Sequence, residues 1–203
     1  MLRQMLFVVS IAAMVTAIAH AQDTSEPLQV VVLSPPGLPI KEATFTIANE
    51  QRRVTFDAKG RGTTTFSTHP RGTMVPIAFT IEKADNQLQG RSWMTTGTLN
   101  GSGHMDYQIL DNGKGQIDQW PIVTWLSSGA RLDVALNERT IGSTRLEKGV
   151  APSRMHKALW RNGSKAVCTQ EFTLEPNVER TYSCDPATGR VSEVDAADGV
   201  RPR

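Results

Sequence analysis

The chain has 203 residues, with 22 basic and 20 acidic side chains, a net charge of +2, 6% aromatic residues and two cysteines. Such a near balance of charge argues against a protein defined by nucleic-acid binding. A chain of this length buries roughly 70% of its unfolded surface, enough for one core or two small ones. The first element is a leader: Arg3, an apolar stretch from Met5 to Ile18, then Ala19-His20-Ala21, the small-x-small pattern of a secretory signal cut after Ala21. Its apolar part is shorter than the ~20 residues of a membrane helix. No later stretch is apolar enough to span. The expectation is an exported bacterial protein without a transmembrane span, in the periplasm or, alternatively, the medium.

Period-two alternation dominates the chain beyond the leader. Phe45 and Ile47 alternate with Thr44 and Thr46; Val75, Ile77, Phe79 and Ile81 alternate with Ala78, Thr80 and Glu82. Met105, Tyr107 and Ile109 alternate with His104, Asp106 and Gln108, and Leu132, Val134 and Leu136 with Arg131, Asp133 and Ala135. These are half-buried strands, apolar inside and polar outside. Turn clusters such as "DAKGRG", "HPRG", "NGSG", "DNGKG" and "DPATG" separate them, supplying the Gly, Asn, Asp and Pro that turns require. Short strands punctuated in this way predict an all-β fold, an antiparallel β-sandwich, with at most a short helix near 147–156.

The expected organisation is a signal peptide over 1–21, a β-sandwich over 22–140, a C-terminal hairpin region over 141–194 and a disordered tail over 195–203. One sandwich with an appended hairpin and two small β-domains are both open. Cys168 and Cys184 fall in the last folded part. Export places them in an oxidising space, where a pair is joined. If "KAVCTQEFTL" and "RTYSC" form a hairpin reversing about Pro176, the two cysteines stand directly opposite each other, within disulfide reach. The expectation is a structural staple on that hairpin. A redox-active pair would prefer a Cys-x-x-Cys spacing.

Residues 29–83 resemble the transthyretin-like β-sandwich of carboxypeptidase regulatory-like domains. The resemblance rests on Gly37, Pro39, Ile40, Ala43, Phe45 and Ile47, on the turn at Thr55, Asp57, Ala58, Lys59 and Gly60, and on Pro70, Gly72 and Thr73. The family usually has Tyr where this chain has Met74, and Arg61-Gly62 is an atypical continuation. The resemblance covers about a quarter of the protein. It implies a sandwich of a class that is usually a non-catalytic spacer or interaction module, and it carries no catalytic residue.

No nucleophile elbow, His-Glu-x-x-His or phosphate-cradling loop is present in the sequence. A carboxylate pair for glycoside chemistry is a property of the fold, with Glu82, Asp85, Asp106 and Asp118 as possible participants. "HM" and "MH" place His104 beside Met105 and His156 beside Met155, and imidazole with thioether suits copper. Adjacent strand residues nevertheless point to opposite faces. No cofactor is expected.

Two stretches are candidate contact surfaces. The basic run from Arg139 to Lys165 includes Arg154, Lys157 and Arg161 with Trp160, which suits an anionic envelope component or an acidic protein. The alternative is that acidic strands beyond Glu171 neutralise it. "QWPIVTWLSSG" carries Trp120 and Trp125, and Pro121 makes its strand either an edge, toward which the reading leans, or one that begins there; core packing is the competing outcome for both tryptophans. The functional expectation is an exported, non-enzymatic β-sandwich protein acting through protein or cell-envelope contacts. The alternative is a periplasmic copper-binding protein using His104, Met105, Met155 and His156.

Overall fold

The computed structural model describes residues 27–194; the expected signal segment and the tail 195–203 lie outside the described residues. The first half contains β1 (Leu28–Leu33), β2 (Ile40–Ile47), β3 (Glu50–Thr55), β4 (Arg61–Phe66), β5 (Met74–Ala84), β6 (Ser92–Thr98), β7 (His104–Ile109) and β8 (Gly115–Gln119). The second contains β9 (Ile122–Ser127), β10 (Asp133–Leu136), β11 (Arg139–Ser143), β12 (Leu146–Gly149), β13 (His156–Asn162), β14 (Lys165–Phe172), β15 (Glu179–Asp185) and β16 (Arg190–Val194). The fold is all-β, as the alternation predicts. The short helix allowed near 147–156 is absent from the described residues; that stretch holds β12 and a turn.

The strands form four sheets, ordered β4-β1-β7-β8, β3-β2-β5-β6, β12-β9-β15-β16 and β11-β10-β13-β14. Adding eight to each strand number of the first two sheets reproduces the other two. The likeness extends to direction: β1 with β7 and β9 with β15 are the parallel pairs, and the remaining pairs are antiparallel. Tyr107 stands opposite Val32 and Tyr182 opposite Trp125 in those parallel pairs, but the register irregularities differ, falling in β2–β5 in the first half and in β10–β11 and β13–β14 in the second. The chain is therefore two sandwiches of one topology in tandem, joined through Trp120-Pro121.

Each sandwich has its own core. One runs from Leu28 to Ile109 and centres on Phe45, whose ring meets those of Phe66, Phe79 and Tyr107 edge-on at 5.8, 5.6 and 4.8 Å. Each such side chain contributes about 1.5–3 kcal/mol through burial. The Trp93 indole donates to the Tyr107 hydroxyl, and Gly115 opens the space for that ring, because a Cβ there would lie 1.9 Å from the Tyr107 oxygen. The other core runs from Val123 to Cys184 around Trp125 and Trp160. The expected division at residue 140 is thus displaced to 120–121. Residues 122–136 pack with the second core because Val123, Trp125, Leu132 and Val134 all face it.

The turns follow from their leading residue. Asp57 accepts from the backbone N–H groups of Lys59 and Arg61, Asn112 from Lys114 and Asp185 from Ala187, the local bonding that makes Asx residues turn formers. Gly60 in the first of these turns takes φ +73°, where a side chain is disfavoured.

Cys168 and Cys184 are joined, and Cys184 lies in the C-terminal hairpin β15–β16. The pairing expected around Pro176 is not made. β14 pairs with β13 and β15 with β9 and β16, so the bridge ties two facing sheets together across the core. Of the two positions that Pro121 allows, the strand start is found and the edge is corrected. Pro121 precedes β9, whose neighbours are β12 and β15, so the missing N–H costs no ladder bond.

Candidate functional site

Alternation along β7 sends Met105, Tyr107 and Ile109 fully inward and His104 and Asp106 outward. The antiparallel register with β8 sets Asp106 directly opposite Asp118, which places their Cβ atoms about 4.5–5.5 Å apart. One step further, the backbone N–H of Trp120 donates to the His104 carbonyl at 3.3 Å. This brings the two rings into a stack, with centroids 4.0 Å apart and planes 24° from parallel. Four side chains thus share the outer face of β7 and β8.

The second sandwich buttresses this face. Asn177 Nδ2 donates to Asp118 Oδ1 at 3.3 Å, and its backbone and side chain exchange bonds with the Gln119 backbone at 2.8 Å in each direction. Asn177 has φ 62°, which asparagine tolerates better than most residues. Partial burial pushes the Asp106 carboxyl above its usual range, and the like charge of Asp118 adds to this. The Trp120 indole and the charges of Arg61 and His104 act in the opposite direction. The result is a half-buried carboxyl beside a stacked aromatic pair.

A second polar feature crosses between the sandwiches. Arg71, in the connection after β4, reaches both carboxylate oxygens of Glu147 at 2.9 Å and also pairs with Glu179. Beneath it lies a cleft of about 100 Å³ lined by Thr124, Glu179, Arg180, Thr181 and Glu193.

The other sequence candidates are dispersed. Trp125 and Trp160 are fully buried, and the Trp160 indole donates to the Leu126 carbonyl at 2.9 Å. Both are core residues and neither is a contact surface, because each faces the opposing sheet. Arg154 is exposed on the turn before β13 and Arg161 is half-buried in β13, while Lys157 stands opposite Glu171 with their charges 3.9 Å apart. The basic run is therefore divided among strands and partly neutralised.

The copper set does not assemble either. Met105 is core, Met155 is 66% exposed and His156 is buried. Asn137 holds the His156 ring: its Oδ1 accepts from the Lys157 N–H at 3.0 Å, which turns its Nδ2 toward His156 Nδ1 at 3.1 Å. His156 Nε2 faces the Ala151 carbonyl at 2.8 Å. Both ring nitrogens are thus engaged. No group of three or more His, Cys, Asp or Glu suited to a metal occurs among the described residues.

The sequence points to Trp120, His104, Asp106 and Asp118 for separate reasons; their convergence is a consequence of strand register. Asn177 and Arg71 carry no such mark, since nothing local distinguishes a loop residue that reaches the other sandwich.

No family model matches the chain, and no curated sequence does. Among solved structures, it is similar to one described as alpha-glucan recognition by family 41 carbohydrate-binding modules from streptococcal virulence factors. That similarity is at 9% identity and TM-score 0.26, over 81% of this chain and 96% of the other. It is also similar to the Bacillus anthracis TIE protein, at 11% identity and TM-score 0.27, over 86% of this chain and 37% of that one. At these TM-scores neither likeness bears on what the chain binds. Among the described residues, no helix is long and apolar enough to cross a membrane.

Proposed function

We propose that the chain is an exported, non-catalytic tandem β-sandwich protein that works by contact with a protein partner in the cell envelope. Its contact surface is the outer face of β7 and β8 at His104, Asp106, Asp118 and Trp120. One observation carries this reading: the register places a stacked, half-exposed aromatic pair against two opposed carboxylates. Aromatic anchors beside polar groups are the usual energetic centre of a contact. Two carboxylates favour a partner presenting cationic or N–H groups over an anionic envelope component. The resemblance of residues 29–83 to non-catalytic regulatory-like modules supports the same class.

A photo-crosslinking residue at position 120, in a protein exported with its own leader, tests this. The expected result is a crosslink to one envelope protein, with co-purification lost in Trp120→Ala and in Asp106→Asn/Asp118→Asn. Unchanged co-purification in those variants would refute the assignment.

A glycoside hydrolase is the second reading. Two carboxylates stand opposite each other in one register pair, as such chemistry needs, and the Asp106 carboxyl is raised in the direction of an acid. It is the weaker reading because the pair stands on a sheet face rather than in the deep pocket that ligand sites use. Turnover of aryl glycosides, abolished by Asp118→Asn, would establish it.

A further inference from the structure

Each of the four sheets has two edge strands, and seven of these eight edges, β3, β4, β8, β11, β12, β14 and β16, carry at least one Arg, Lys, Asp or Glu. β6, with sequence SWMTTGT, carries none. Charged side chains, prolines and bulges are the means by which proteins stop edge strands from pairing with other chains, and β6 has none of the three. Its register with β5 runs without a shift from Met74↔Thr98 to Thr80↔Ser92. Five of its seven residues are exposed. Met94 on β6 and Met74 at the start of β5 are 76% and 71% exposed, so the flank of this edge is apolar.

We infer that β6 is a strand-pairing edge and that a second copy of this chain occupies it, antiparallel, with the two-fold axis through Thr95. The pairing joins two four-stranded sheets into one of eight strands. About that axis Met94 and Thr96 of the two copies pair with each other, while the Thr98 carbonyl at the end of the strand keeps its bond from Gln119 Nε2. With no charge on the strand, two identical copies meet without like-charge repulsion. Trp93, whose ring packs on Phe79 and Tyr107 of its own sandwich, comes opposite Gly97 of the second copy, so the bulkiest residue of the strand meets the smallest across the pairing. Gly97 is itself held to glycine from within, since a Cβ there would lie 2.8 Å from Ile77 Cδ1. Met94 comes opposite Thr96, covering apolar surface that is exposed in the single chain. A two-fold interface of this kind closes on itself and produces a dimer rather than a fibre.

Sedimentation of the full mature chain over a range of concentrations tests the inference, with Thr95→Lys beside it. The expected result is a concentration-dependent doubling of mass in the wild type. In Thr95→Lys, where two lysines would face each other across the axis, the dimer is lost, and the melting temperature matches that of the wild type at dilutions where both are monomeric. Wild-type protein that stays monomeric throughout, or Thr95→Lys that dimerises like the wild type, would overturn it. Thr95→Cys adds a reading that needs no destabilising charge. Oxidation is expected to yield a covalent dimer through residue 95, and a failure to crosslink at concentrations where the mass doubles would equally overturn the assignment.

Discussion

Replacing both cysteines by alanine is expected to split the thermal unfolding of this protein into two separable events. The bridge between Cys168 and Cys184 spans 16 positions. In the chain-entropy treatment a loop of that size limits the unfolded chain by about 3 kcal/mol. Both sulphurs belong to the core that runs from Val123 to Cys184, and the other core contains no cysteine. The whole loss therefore falls on the second sandwich. For a domain of 60–100 residues each kcal/mol moves the midpoint by roughly 4–8 °C, so its transition is expected to fall by roughly 12–24 °C. The first sandwich should melt where it did before. Differential scanning calorimetry reads both transitions at once. A single transition that does not move, or two that fall together by the same amount, would refute the argument that the bridge acts within one sandwich.

Trp125→Ala is expected to cost about 3–5 kcal/mol in chemical denaturation, as truncation of a fully buried aromatic does, whereas Trp120→Ala should stay within about 1 kcal/mol while abolishing partner contact. Gly115→Ala drives a methyl into the Tyr107 ring and should cost about 1–3 kcal/mol, as overpacking does, measured by the same denaturation. Asp106→Asn should raise stability at neutral pH and leave it unchanged in strong acid. A carboxyl whose folded pKa is raised contributes fully below its unfolded pKa, and that contribution is lost as pH climbs through the folded value; melting temperature across pH 3 to 8 checks this. Arg71→Gln should cost about 1 kcal/mol or less, since its pairs are half-exposed, and the difference from wild type should shrink at high salt.

The strands are legible because their signal is local. Val75, Ile77, Phe79 and Ile81 are all buried, as alternation alone requires, and the Asp-led and Asn-led turns fall where those residues stand. Pairing between distant strands is not legible. The disulfide could be expected from the compartment, yet its strands lie in different sheets, because β15 finds β9 rather than β14 as its neighbour. The repeat is hidden for the same reason: the halves share strand order and direction but little sequence, so Tyr107 and Tyr182 match only once their ladders are drawn. The two central tryptophans of the second core read ambiguously because a strand apolar on both faces is a signature of an interior position and of a docking surface alike. The candidate site is half visible. Each of its four side chains stands out in the sequence, but nothing in one dimension says that residue 106 meets 118.

The shared strand order has a consequence for biogenesis. As the polypeptide emerges, each half can complete its ladders without waiting for the other, which favours stepwise folding from the N-terminus. The same likeness is a hazard, because a strand from one half is a topological impostor for its counterpart in the other. The divergence of their sequences, and the confinement of both thiols to the later half, leave any such exchange without a matching core and without a bond to trap it.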